Sequence, residues 1–138
     1  MADRVRKVSY CYVVTPNRSG QAAEVFGEIG EEGVGLLAHV GFPIGGGRAQ
    51  LDFVTDDIAR LRRVARRNRW RLSKVKKAFL IQGSDKTGAV YRHLRRLADA
   101  GVSITAAAGV AAGKGRYGLV LWVKPKAVSR AARALGAR

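Results

Sequence analysis

Two short segments carry the residue types best suited to hold a small ligand. They are Thr15-Pro16-Asn17-Arg18-Ser19-Gly20 and Ser84-Asp85-Lys86-Thr87-Gly88-Ala89-Val90. Each falls between an alternating apolar run and a helical pattern. A glycine that opens a helix exposes backbone N–H groups at the positive end of the helix dipole, which suits a carboxylate. Asn17 or Asp85 beside it could hold an ammonium group. The plain alternative at each turn is a helix start and nothing more, since Asn, Ser, Asp and Thr are common caps.

Other chemistry is sparse. His39 and His93 are the only imidazoles. His39 alternates away from Val34, Leu36, Ala38 and Val40, so it is expected on the helix-free face of a sheet. His93 lies beside an apolar helix stripe and is expected to pack. Cys11 is the single cysteine, so no intrachain disulfide forms and a buried core thiol is the default. No histidine pairs or acidic clusters show metal-ligand spacing, so no metal and no cofactor are assigned. No nucleophile, base and orienting group stand out as a set, so no catalytic residue is assigned and the reading leans against an enzyme. Gly113-Lys114-Gly115-Arg116-Tyr117-Gly118-Leu119-Val120 fits a glycine-rich nucleotide loop. It leads into a predicted strand, whereas a dinucleotide fold needs a helix there. A kinase would need a far longer chain with separate catalytic Asp motifs.

The elements that position these groups repeat. A shift of 68 residues lays Asn17-Arg18-Ser19-Gly20 on Asp85-Lys86-Thr87-Gly88, and Gly33-Val34 on Gly101-Val102. It also lays Gly41, Gly45 and Gly47 on Gly109, Gly113 and Gly115. In the first copy, alternation of Val8, Tyr10, Tyr12 and Val14 predicts a strand. Val25, Phe26 and Ile29 mark a helix that ends at Gly33. A second strand is predicted over 34–42 and a third around Leu51 and Phe53. Asp56 and Asp57 start a second helix striped by Ile58, Leu61 and Ala65. A fourth strand is predicted near 70–75. The second copy predicts a strand over 78–82, a helix over 87–100, a hairpin of 102–110 with 117–123, and a helix opened by Pro125. It has little or no fourth strand. The fold class is α+β: two tandem ferredoxin-like βαββαβ units, at 1–75 and 76–138, with antiparallel sheets, helices on one face and a truncated second unit.

The turn followed by helix, glycine, β-branched residue and strand (Asp85 to Gly88, then Gly101-Val102-Ser103-Ile104) resembles the signature of ACT domains. Asn17 to Gly20 with Gly33-Val34 resembles it again, so the likeness covers nearly the whole chain as two copies. The resemblance implies regulatory binding of an amino acid or related small metabolite, commonly where two such units meet. Carried over, the candidate ligand-binding residues are Asn17, Ser19, Gly20 and Gln21, with Asp85, Thr87, Gly88 and Ala89. ACT units usually regulate an attached catalytic domain. None is attached here, which implies a stand-alone sensor acting on a separate enzyme or through self-association as a homodimer.

A rival signal is charge. Twenty-six basic residues stand against ten acidic ones, a formal net charge of +16. Many lie between Arg60 and Lys77. With Ile58, Leu61 and Ala65 facing inward, Arg62, Arg63, Arg66, Arg67, Arg69 and Arg71 form an outward basic surface. It could contact nucleic-acid phosphates or an acidic protein partner. A solvated face is the bland alternative. The third strands (48–55 and 116–123) lack the aromatic run with which the common RNA-recognition domain stacks bases. Apolar residues make up 47% of the chain, enough for a packed core. No apolar run approaches the ~20 residues that span a bilayer. No signal-peptide pattern opens the chain, so no membrane partner and a cytoplasmic location are expected.

Overall fold

The computed structural model describes residues 3–138. Six strands and four α-helices form two compact units: one is Ser9–Lys76, and in the other the N-terminal stretch through Val8 accompanies Lys77–Arg138. The cut read from the sequence kept that stretch with the first unit.

The Ser9–Lys76 unit holds most of β1 (Arg4–Pro16), then α1 (Gln21–Glu31), β2 (Ala38–Gly45), β3 (Arg48–Val54) and α2 (Ile58–Asn68). The strands run antiparallel in the order β2-β3-β1, with Val13 opposite Leu51 and Cys11 opposite Phe53. Val25 and Ile29 of α1 and Leu61 and Val64 of α2 sit at helical spacing. They close over Cys11, Val13, Leu51 and Phe53 to make the core. Asp57 starts α2 by accepting the Arg60 amide at 3.1 Å.

The second unit holds β4 (Lys76–Ser84), α3 (Tyr91–Asp99), β5 (Ile104–Gly113), β6 (Arg116–Val123) and α4 (Val128–Leu135), which follows a 3₁₀ turn at Pro125–Ala127. β6 lies between β4 and β5. Phe79, Ile81, Leu97, Leu119, Leu121, Ala131 and Leu135 form its core. No strand follows α4. The opening residues of β1 belong to this unit instead. Arg138 donates its amide to the Val5 carbonyl and accepts from the Lys7 amide.

Some expected bounds shift. The second strand begins at Ala38, because Val34 turns back at the helix end and donates its amide to Ile29 at 3.1 Å. Residues 70–75 form no strand, although Ser73 exchanges two 2.9 Å bonds with the Tyr12 backbone. α3 starts at Tyr91, since the residues after Asp85 are spent in turns. Some residues on the face away from the helices are buried too: Tyr10 and Val54 in one unit, and Leu80, Val120 and Trp122 in the other, are at most 7% exposed. Among the described residues no helix is long and apolar enough to cross a membrane.

Candidate functional site

The two turns are built alike. The Asn17 amide donates to Gly47 and the Asp85 amide to Gly115, each at 2.8 Å. The Gln21 amide reaches Arg18 as the Ala89 amide reaches Lys86. Gly20 and Gly88 both sit at positive φ, 85° and 79°, where only glycine is unstrained. These pairs keep the 68-residue spacing read from the sequence.

Each turn opens into a pocket. The first, of about 280 Å³, is lined by Asn17, Arg18, Gln21, Gly41, Phe42 and Leu51 among others. The second, of about 290 Å³, is lined by Asp85, Lys86, Gly88, Ala89, Val110 and Tyr117 among others. Gly41 and Gly109 stand at equivalent places in the walls. A Cβ on Gly41 would run into Leu51. Of the sequence candidates, Asn17, Gln21, Asp85, Gly88 and Ala89 line the pockets; Ser19, Gly20 and Thr87 shape the turns without being lining residues. Arg18 and Lys86 are lining cations that the candidate list passed over, although each stands inside the motif.

At both turns backbone carbonyls take much of the capping: the Gln21 and Glu24 amides donate to Arg18 and Gly20, and the Tyr91 and His93 amides to Gly88 and Val90. Neither α1 nor α3 receives a side-chain cap, whereas α2 does. The first-turn amides of α1 and α3 thus lack the side-chain acceptor that a capping residue supplies. The Gln21 Oε1 is buried and has no hydrogen-bond partner among the described residues. A buried polar atom in that state is costly, and a ligand donor at the first pocket would relieve it.

His39 corrects an expectation. Its ring packs edge-on against Phe26 of α1, with centroids 4.7 Å apart, so it faces the helices. The later start of β2 explains the error, because Val34 and Leu36 are not part of the strand that carries His39.

His93 is 2% exposed and belongs to a buried polar cluster. Its Nε2 lies 2.7 Å from Asp3 Oδ2. The Tyr117 hydroxyl donates to the same oxygen, and Arg92 Nη2 lies 2.7 Å from it. Burial disfavours the charged form of Asp3, but the bonds from Tyr117, His93 and Arg92 outweigh it and hold the carboxyl well below the usual range. Burial and the bond to Asp3 push the Tyr117 phenol up. Gly83 leaves the space that the Asp3 carboxylate fills. The sequence offered no signal for this cluster, since Asp3 and His93 are 90 residues apart. Cys11 is fully buried, and burial raises its pKa, so it is a core thiol. Among the described residues no group of three metal-ligating side chains comes together.

The basic surface is partly neutralised. Arg63 and Arg67 of α2 pair with Glu32, Arg67 also with Glu28, and Arg60 with Asp57. These contacts join α2 to the end of α1. Arg62, Arg66, Arg69 and Arg71 have no such partners among the described residues. The glycine-rich segment 113–118 is the hairpin turn between β5 and β6, with no helix behind it.

No protein-family model matches the sequence, and no curated protein does. Solved structures do. Protein BT0572 from Bacteroides thetaiotaomicron is 17% identical, with a TM-score of 0.80 over 96% of this chain and 88% of its own. The ligand-free regulatory subunit of aspartate kinase from Thermus thermophilus is 18% identical, with a TM-score of 0.60 over 98% of this chain and 93% of its own. Its counterpart from Thermus flavus is 18% identical, with a TM-score of 0.57 over 98% and 94%. The fold is similar to that of these aspartate-kinase regulatory subunits. It is an ACT-like α+β arrangement, and the likeness extends along nearly all of this chain.

Proposed function

We propose that this protein is a non-catalytic sensor built from two tandem ACT-like units, binding an amino acid or a related small metabolite at the strand-to-helix turns. The observation that carries the reading is the pairing, at each glycine-bearing turn, of a pocket with a basic and a polar side chain in its lining. Arg18 or Lys86 suits a carboxylate. Asn17 or Asp85 suits an ammonium. Pockets of about 280 and 290 Å³ fit a ligand no larger than an amino acid. The regulatory-subunit fold of the Thermus proteins supports a regulatory role.

The output passes to a separate partner or through self-association. The support for a homodimer comes from the edge strands. All ten residues of β5 are exposed, and seven of them are apolar. β2 likewise exposes Phe42 and Ile44. Apolar edge strands present unpaired backbone groups to a second chain. Light scattering behind size-exclusion chromatography should give twice 14.9 kDa; a 14.9 kDa particle at high concentration would remove the homodimer.

Calorimetric titration of nucleic-acid-free protein with single amino acids tests the ligand reading. Saturable binding that Lys86→Ala or Arg18→Ala weakens supports it. Binding that neither change touches places the ligand elsewhere.

A further inference from the structure

A cavity of about 740 Å³, larger than either turn pocket, lies in the unit that contains α3. Arg4 and Arg6 of β1, Arg92 and Arg96 of α3, and Arg138 all line it. Arg92 and Arg96 are four apart and share one face of their helix. Arg4 and Arg6 are two apart and share one face of their strand. Arg138 is held beside β1 by its backbone bonds to Val5 and Lys7. Three separate segments thus bring five guanidinium groups to one concavity.

Asp3 is the only carboxylate side chain among the lining residues, and its charge is already engaged by Tyr117, His93 and Arg92. With Arg92 paired to Asp3, Arg4, Arg96 and Arg138 still bring three guanidinium groups to the lining. Arginine does not shed its proton, so these three charges persist at neutral pH. His93 also lines the cavity, and its Nδ1 is buried without a partner among the described residues.

We propose that this cavity binds a small phosphorylated metabolite with at least two adjacent anionic groups, independently of the turns. The guanidinium fork matches phosphate oxygens two at a time. Guanidinium groups arriving from three segments suit two adjacent anionic groups better than a single carboxylate. The volume falls within the roughly 300–1,000 Å³ usual for small-molecule sites. A concave cluster suits a compact anion, whereas a polymer would follow an extended surface such as the α2 face.

The test is calorimetric titration at fixed ionic strength with inorganic pyrophosphate and with ADP. Arg96→Ala and Arg138→Ala change exposed side chains that hold no part of the Asp3 cluster. Arg62→Ala and Arg66→Ala on the α2 face are the controls. Saturable binding weakened at least about tenfold by either cavity variant, and left within about twofold by the controls, is the expected result. No saturation at millimolar probe would overturn the proposal. Equal weakening by the α2 control would reduce the binding to diffuse attraction and overturn it as well. Tighter binding of citrate than of pyrophosphate would overturn the phosphate assignment. Displacement by RNA oligonucleotides with affinity that grows with length would make the site a nucleic-acid contact instead. Amino-acid binding at the turns is read separately, so either result can fail alone.

Discussion

The Asp85 amide donates to the Gly115 carbonyl at the tip of the β5–β6 hairpin, at 2.8 Å. This bond ties the turn before α3 to the hairpin, so the pocket mouth is set by two segments 30 residues apart in sequence. The Asn17–Gly47 bond does the same for the first copy. Neither turn is a free loop, and each presents its helix start at a fixed place beside a basic side chain.

Lys86 and Arg18 are therefore expected to matter for binding and not for folding. Both are exposed, and neither makes an ion pair among the described residues. Lys86→Ala and Arg18→Ala should leave the melting temperature nearly unchanged and weaken amino-acid binding about tenfold or more, the loss of one charge-assisted bond. Melting curves and titrations of the same samples check both halves.

Asp3 makes stability depend on acid. Its folded pKa is depressed, so its contribution is complete above the ordinary aspartate value of about 3.9 and fades as pH falls below it. Asp3→Asn should cost about 1–3 kcal/mol near neutrality, because it weakens bonds from three donors in a cluster whose carboxylate is 4% exposed. The gap between wild type and variant should narrow as the medium is made more acid. Urea unfolding at a series of pH values measures it, and a gap constant down to strong acid would contradict the assignment.

Gly83→Ala should couple to Asp3. An added Cβ would occupy the carboxylate's place and crowd the Tyr117 ring. The change should be costly in wild type and cheaper once Asp3 is replaced by Gly, a positive coupling that a double-mutant cycle reads directly.

Much of the fold was legible in the sequence because its signals are local. The 68-residue repeat, the glycine-opened turns and the paired Asp56-Asp57 all act within a few residues of where they stand. The stretch through Val8 was not legible in this way, because pairing between the first and last parts of a chain leaves no periodic trace. The same holds for Asp3 with His93. His39 was misplaced because a helix-end turn, with Val34 folded back on Ile29, copies the apolar alternation of a strand. The turn pockets were half legible: motif positions pointed to Asn17, Gln21 and Asp85, while the lining role of Arg18 and Lys86 depended on which way the pocket opens.

The basic face of α2 has a defined internal use. Arg63 and Arg67 hold the end of α1 through Glu32, so the groups left to meet nucleic acid are Arg62, Arg66, Arg69 and Arg71. Any retention on single-stranded RNA or DNA should fall steeply with salt and vanish on charge reversal at Arg62 and Arg66. The amino-acid response should survive that reversal. Filter binding across a salt series checks the first point, and retention indifferent to salt would remove phosphate contact as its cause.

The most direct measurement is a thermal-melt screen of nucleic-acid-free protein against each free amino acid. A ligand that binds only the folded chain raises the melting temperature in step with its concentration. The account predicts a selective, dose-dependent rise with one amino acid or a close chemical group of them, reduced in Lys86→Ala or Arg18→Ala. A flat response to every amino acid, with the protein folded throughout, would contradict it.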